Sequence, residues 1–197
     1  MTPLDPAPLI SMATAYWNSA TLIAAVQLGV FDVIHQGAHH LSDIAEQLHS
    51  NEVSIETLLT ALLALDLLEK TEDRYDNSPL AQTFLVSGQP QSLQGALLYN
   101  ADVYPLWGQL GTVIQRGDTE QDPQAYLGGD SEQTRRFVYG MHHRALGVGR
   151  AVSQVINLEG ISYLADLGGG PGTYSALLSQ KYPNLQADVL DLPAVVN

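Results

Sequence analysis

Tyr163-Leu164-Ala165-Asp166-Leu167 runs straight into Gly168-Gly169-Gly170-Pro171-Gly172-Thr173. A helix-like run to Tyr182 follows, then Ala187-Asp188-Val189-Leu190-Asp191-Leu192-Pro193. The pattern reads as strand, glycine loop, helix and strand, with an acid at the second strand's tip. Glycines at 168, 170 and 172 remove every Cβ where a strand turns into a helix, so backbone can approach a ligand closely. Asp191 stands 21 residues after Gly170, where a carboxylate can accept two hydrogen bonds from a ribose diol. A dinucleotide fingerprint asks for a small residue three positions after Gly170, and Thr173 is there instead. What stands here is G-x-G-x-G preceded by Asp166, which suits a nucleoside without a pyrophosphate.

Working outward, Trp17 to Asp32 is a long apolar run, Leu41 to Phe84 is helical and then turn-rich, and Phe137-Val138-Tyr139-Gly140-Met141 lies on a long helical pattern. With Asp166 to Thr173, Tyr182-Pro183 and Asp191-Leu192-Pro193, these segments resemble the S-adenosylmethionine-dependent O-methyltransferases of the caffeate and acetylserotonin type. The resemblance covers nearly the whole chain, and its most specific motifs lie within 163–193. It implies a mainly α N-terminal dimerisation domain with a winged-helix segment. The first βαβ of an α/β, Rossmann-like methyltransferase domain follows it. It also implies S-adenosyl-L-methionine as cofactor, held by Asp166, Gly168, Gly170, Gly172, Asp191 and Leu192. By family position Phe137 and Met141 line the acceptor pocket, where an aromatic face and a thioether suit a cation. His142 is the further pocket candidate. The acceptor implied is a hydroxyl of a small phenolic or enolic metabolite.

Family chains are normally much longer, and this one ends at Asn197. In the resembled enzymes a histidine base lies on a later segment, and no histidine here matches it. No catalytic residue is therefore assigned. The chain as given is expected to be incomplete, to hold the methyl donor weakly or not at all, and to be inactive.

The chain has 197 residues, of which 45% are hydrophobic, and a formal net charge of −13. That composition fits a folded soluble protein. The acidity argues against nucleic acid, whose binders need Lys and Arg to displace counterions. There is no cysteine, so neither a disulfide nor a thiolate–metal site can form, which is compatible with the cytoplasm. The N-terminus lacks basic residues ahead of its apolar run, unlike a secretory signal.

Ala7 to Phe31 carries no charge and is long enough to span a membrane. Ser11, Thr14, Asn18, Ser19, Thr21 and Gln27 interrupt it, Pro8 suits a helix start and Gly29 breaks its end. The stretch reads as a soluble helix buried on most faces rather than a membrane span. In the resembled family this helix forms part of an intertwined homodimer.

Residues 41–77 read helix, helix, hairpin, the winged-helix order. Leu41 to Leu48 opens with polar residues and keeps Ile44, Ala45 and Leu48 on one face. Leu58, Leu59, Leu62, Leu63 and Leu65 continue a second helix. Leu67-Leu68-Glu69-Lys70 and Arg74-Tyr75-Asp76-Asn77 make two short strands. Residues 54–65 hold Glu56 and no Lys or Arg, and 41–77 holds nine acids against two bases. Phosphates would repel such a helix, so the fold is read as packing for a dimer rather than DNA binding.

Leu93 to Val113 reads as helical and broken near Pro105, with Tyr99, Tyr104 and Trp107 as core or pocket wall. Arg116-Gly117-Asp118, Asp122-Pro123 and Gly128-Gly129-Asp130 read as turns. Asp130 and Ser131 open a helix expected to reach about Leu158, bridging to the nucleotide-binding segment. The domains are thus drawn as 1–159 and 160–197. His35, His39 and His40 have metal-like spacing but no cysteine and no evident carboxylate partner, so they are read as a solvated loop and no metal is assigned. His142 and His143 follow Met141, with a solvent-facing or capping role as the plainer reading. Two other functional classes remain open to the same residues: a dimerisation or regulatory protein with a vestigial nucleotide motif, and an acidic winged-helix transcription regulator.

Overall fold

The computed structural model describes residues 4–118 and 127–196. The turn read at Asp122-Pro123 and the terminal Asn197 lie outside the described residues. The chain separates into two compact units, Met1–Ser92 and Leu93–Asn197. The sequence reading draws its line at 159/160; the structure groups the helices after Ser92 with the glycine-loop segment.

The first unit begins with α1 (Ala7–Thr14), α2 (Tyr16–Leu28) and α3 (Val30–His35). Gly29 sits between the last two with φ +80, a left-handed cap that any Cβ would disfavour. The apolar run is therefore three helices, not one. Burial on most faces is not what this chain provides. No residue of α1 is buried, α2 buries only Ala25 and Val26, and Leu9, Ile10, Met12, Tyr16 and Trp17 are exposed. By length and composition alone Ala7–Leu28 is apolar enough to cross a membrane.

Next come α4 (Leu41–Gln47), α5 (Glu52–Ala64), β1 (Leu68–Thr71), β2 (Arg74–Asn77) and α6 (Pro79–Phe84). Asn51 caps α5 by accepting from the Ser54 N–H at 3.1 Å. The polar opening read for α4 is not a side-chain cap, because His40 occupies that position without one. Apolar residues at helical spacing, Ile55, Leu59 and Leu62, are buried, as are Phe31 and Ile34 of α3 and Ile44 of α4. β1 and β2 pair antiparallel, Leu68 opposite Asn77 and Thr71 opposite Arg74.

The histidine loop departs from its reading as merely solvated. His39 Nδ1 lies 3.0 Å from the Tyr75 carbonyl and 3.1 Å from Asp76, while Arg74 approaches its Nε2 at 2.9 Å. His40 faces Asp73 at 3.4 Å. The carboxylates come from the hairpin, distant in sequence, and the loop is tied to it. Among the described residues no group of three or more His, Cys, Asp or Glu could hold a metal.

The second unit contains α7 (Gln94–Trp107), α8 (Leu110–Arg116), α9 (Ser131–Val155), β3 (Tyr163–Leu167), α10 (Thr173–Lys181), β4 (Gln186–Leu190) and α11 (Pro193–Val196). α7 passes through Pro105 and ends two residues later. So close to the helix end the proline forfeits one hydrogen bond without stopping the helix. Trp107 is exposed rather than core. Asp130 caps α9, accepting from the Glu132 and Gln133 N–H groups, each at 2.9 Å.

Glycines set the spacing around α9. A Cβ on Gly140 would stand 2.8 Å from Tyr99 Cβ and 3.3 Å from the Gly95 carbonyl, so α7 and α9 meet almost backbone to backbone. A Cβ on Gly149 would meet Leu177 Cδ1 at 2.7 Å, the far end of a side chain that can turn aside. Gly140→Ala should therefore cost about 1–3 kcal/mol by overpacking. Gly149→Ala should stay near neutral, helped by alanine's better helix propensity. Thermal melts of the two variants check this; a Gly140→Ala protein melting with the wild type would refute the close crossing. His143 uses the room left by Gly95, where a Cβ would lie 2.6 Å from its Nδ1. Burial, and then the neighbouring His142, hold its pKa below the ordinary histidine value.

α9 and α10 are fastened directly. Lys181 Nζ donates to the carbonyls of Ser153, Gln154 and Ile156 at 2.6, 3.1 and 3.1 Å. The Tyr182 hydroxyl adds a bond to Ile156 O at 2.8 Å. These groups satisfy the orphan acceptors at the C-terminus of α9. β3 and β4 run parallel, Tyr163 opposite Gln186 and Leu167 opposite Leu190, with α10 as crossover.

Candidate functional site

The carboxyl ends of β3 and β4 and the start of α10 form one concave wall. Gly168, Gly170 and Gly172 take φ values of +67, +55 and +69, which folds the chain back between strand and helix. The loop is pinned to β4: Gly168 N–H donates to Leu190 O at 2.8 Å. Asp191 does the rest. Its Oδ2 accepts from the Gly170 N–H and its Oδ1 from the Leu192 N–H, both at 2.7 Å. On the other strand Asp166 accepts from the buried Ser175 hydroxyl at 2.6 Å. Its carboxyl lies beneath Gly169, where a Cβ would come within 2.7 Å of Asp166 Cγ. Above Gly168 and Gly170 the space is open, with no atom within 4 Å of where a Cβ would stand.

A cavity of about 600 Å³ lies over this loop, a volume in the range of small-molecule sites. Asp166, Gly168, Gly170 and Asp191 line it from the strand ends, and Phe137, Met141 and Arg144 from α9. Phe137 packs edge-on against Tyr99 with ring centroids 5.4 Å apart. The residues singled out from the sequence thus gather largely in one place, with three exceptions. Gly172 caps α10 and packs under Val189, 3.0 Å from its would-be Cβ, rather than lining the cavity. Leu192 contributes its N–H to Asp191 and is half exposed, outside the cavity lining. His142 lies on a neighbouring cavity with Arg135 and Tyr139, and its Nδ1 is 2.8 Å from Thr173 Oγ1. It ties the long helix to the first residue of α10.

Arg144 was not read from the sequence. It follows Met141 by three positions, so helical periodicity places it on the same face, and that signal was available. A second cavity, of about 550 Å³, is lined by Tyr99, Val103, Leu106, Trp107 and again Arg144.

The chain is similar to known proteins along most of its length. Residues 10–87 match the model of the O-methyltransferase dimerisation domain, and residues 117–197 that of the O-methyltransferase domain. The N,N-dimethyltransferase OxyT of Streptomyces rimosus is 32% identical over 98% of this chain and 60% of its own length. The tetracenomycin polyketide synthesis 8-O-methyl transferase TcmO of Streptomyces glaucescens is 31% identical over 95% of the chain and 57% of its own length. Human N-acetylserotonin methyltransferase, solved in complex with SAM, superposes with a TM-score of 0.86 at 25% identity, over 100% of this chain and 62% of that one. The chain spans about 60% of the length of these two curated relatives. With a dimerisation region and a methyltransferase region of one family in the same order along it, the chain belongs to the S-adenosylmethionine-dependent O-methyltransferases.

Proposed function

We propose that this chain carries the donor loop and part of the acceptor wall of an O-methyltransferase that uses S-adenosyl-L-methionine. Its acceptor is a hydroxyl of a small phenolic or enolic metabolite. The observation that carries the reading is the convergence on one cavity of Gly168, Gly170, Asp166 and Asp191 with Phe137 and Met141. The cradle fits the donor: open space above two glycines suits close approach of its amino-acid end, and the Asp191 oxygens keep lone pairs for a ribose diol. When bound, the donor supplies a methyl group on a sulfonium cation.

The chain's own residues hold and align. The loop backbone positions the donor, Phe137 and Met141 face the cation with a ring and a thioether, and α9 fixes the direction from which the acceptor oxygen approaches. Removal of the acceptor proton is assigned to no residue of this chain. The helix, helix and hairpin of residues 41–77 serve as a winged-helix segment for packing rather than for DNA. The exposed apolar faces of α1 and α2 meet a second copy in a homodimer rather than lipid. The protein works in the cytoplasm without nucleic acid, and no observation favours a regulator or a DNA-binding role.

Tyr163, Leu167 and Leu190 are exposed on the two-stranded sheet, whereas parallel sheets are ordinarily covered on both faces. The chain by itself should therefore hold the donor more weakly than micromolar. Titration calorimetry with S-adenosylmethionine and S-adenosylhomocysteine, backed by ligand-observed NMR, measures this. Weak, saturable contact is the expected result. Micromolar affinity would overturn the expectation of weakness, and no contact at all would overturn the donor site.

A further inference from the structure

The start of α10 has no side-chain cap of its own. Gly172 occupies the capping position and offers no side chain to the orphan amides of the first turn. Two hydroxyls of that turn tie it sideways instead, and both belong to residues only 3% exposed, Thr173 and Ser175. Ser175 Oγ donates to Asp166 on β3 at 2.6 Å. Thr173 Oγ1 lies 2.8 Å from His142 Nδ1 on α9. The turn is thus held by the strand through one residue and by the long helix through the other. Thr173 lines the cavity over the glycine loop together with Gly168, Gly170 and Pro171. His142 stands outside that lining, on the neighbouring cavity with Arg135 and Tyr139. The histidine is therefore one residue removed from whatever fills the cavity over the loop. Its neighbour His143 packs over Gly95 of α7, so the two consecutive histidines serve different partners of α9.

The geometry points to His142 as a positioning residue for the methyl donor: through the Thr173 hydroxyl it fixes the first turn of α10, and with it the end of the glycine loop. The inference rests on the proposed methyltransferase reading and adds a residue to its donor site. A buried hydroxyl stripped of its partner is costly, so without the imidazole Thr173 must seek another partner and take the turn with it. Gly170 and Gly172, at φ +55 and +69, adjoin that turn and have no side chains to resist its movement.

The test follows S-adenosylhomocysteine by ligand-observed NMR titration of the chain and five variants. His142→Ala should weaken binding about fivefold, as for the loss of one hydrogen bond. Alanine is the better helix former, so α9 itself is not weakened by the change. His142→Asn should restore affinity, because its amide ends where Nδ1 stands and can donate or accept. His142→Gln, one methylene longer, should not. Thr173→Val should weaken binding about fivefold, and adding His142→Ala to it should cost nothing more. Exchange of the Ala176 amide, which donates to Gly172 O at 2.9 Å, should quicken in His142→Ala and recover in His142→Asn. Unchanged affinity in His142→Ala, rescue by glutamine as complete as by asparagine, or additive losses in the double variant would each overturn the inference. The donor reading fails separately: it falls if S-adenosylhomocysteine makes no contact with the wild type, and the donor role of His142 falls with it. Contact that persists unchanged in His142→Ala overturns the role of His142 alone.

Discussion

Asp191→Ala should weaken S-adenosylhomocysteine binding about a hundredfold, equivalent to about 2.7 kcal/mol. Two losses combine. The carboxylate now holds the Gly170 and Leu192 N–H groups, each at 2.7 Å, and hydrogen bonds to a charged group contribute about 1.5–3 kcal/mol apiece. Without them Gly170 must keep its left-handed turn with no anchor, and the ribose loses its acceptor as well. Asp191→Asn retains one acceptor oxygen and should fall between the two. In ligand-observed NMR the wild type should show contact at concentrations where Asp191→Ala shows none. Affinity within threefold of the wild type would mean that Asp191 holds neither loop nor donor.

Phe31→Ala should destabilise the first unit by about 3–5 kcal/mol, the usual cost of deleting a buried aromatic side chain. Phe31 is 0% exposed in a unit whose Ile34, Ile44, Leu59 and Leu62 are buried as well, so a void left there is closed to solvent in a close-packed interior. Its backbone carbonyl also accepts from Asn77 Nδ2 at 2.8 Å, which ties α3 to the hairpin. Against a whole-domain stability of about 5–15 kcal/mol the loss is large. Hydrogen exchange of α4 and α5 amides reads it directly. Protection unchanged from the wild type would show that this cluster is not the core of the unit.

The sequence makes legible what is decided by neighbours in the chain. The Asp130 cap opens α9 as expected because a cap is a contact over two or three residues. The glycine loop and Asp191 announce the βαβ because turn geometry restricts residue type. The hairpin falls within one residue of its expected limits. What escaped depends on distant partners. Asp73 and Asp76 reach His40 and His39 only once the hairpin has folded back. Pro105 looked like a stop because a propensity cannot say how near the helix end it lies. His142 turned to Thr173 rather than to the cavity over the glycine loop, a choice between two sides of one helix that its position after Met141 does not make. Arg144 shares a helical face with Met141, but its place on the cavity wall is visible only in three dimensions.

The bonds between α9 and α10 bear on timing. His142 holds the start of α10 through Thr173, and Lys181 and Tyr182 hold its finish, so the crossover helix is riveted to the long helix at both ends. Phe137 and Met141 on α9, and the glycine loop that leads into α10, consequently belong to one stiff piece. On the proposed reading, the loss of conformational freedom needed to bring donor wall and acceptor wall into register is then incurred once, when the polypeptide folds, and not again at each binding event.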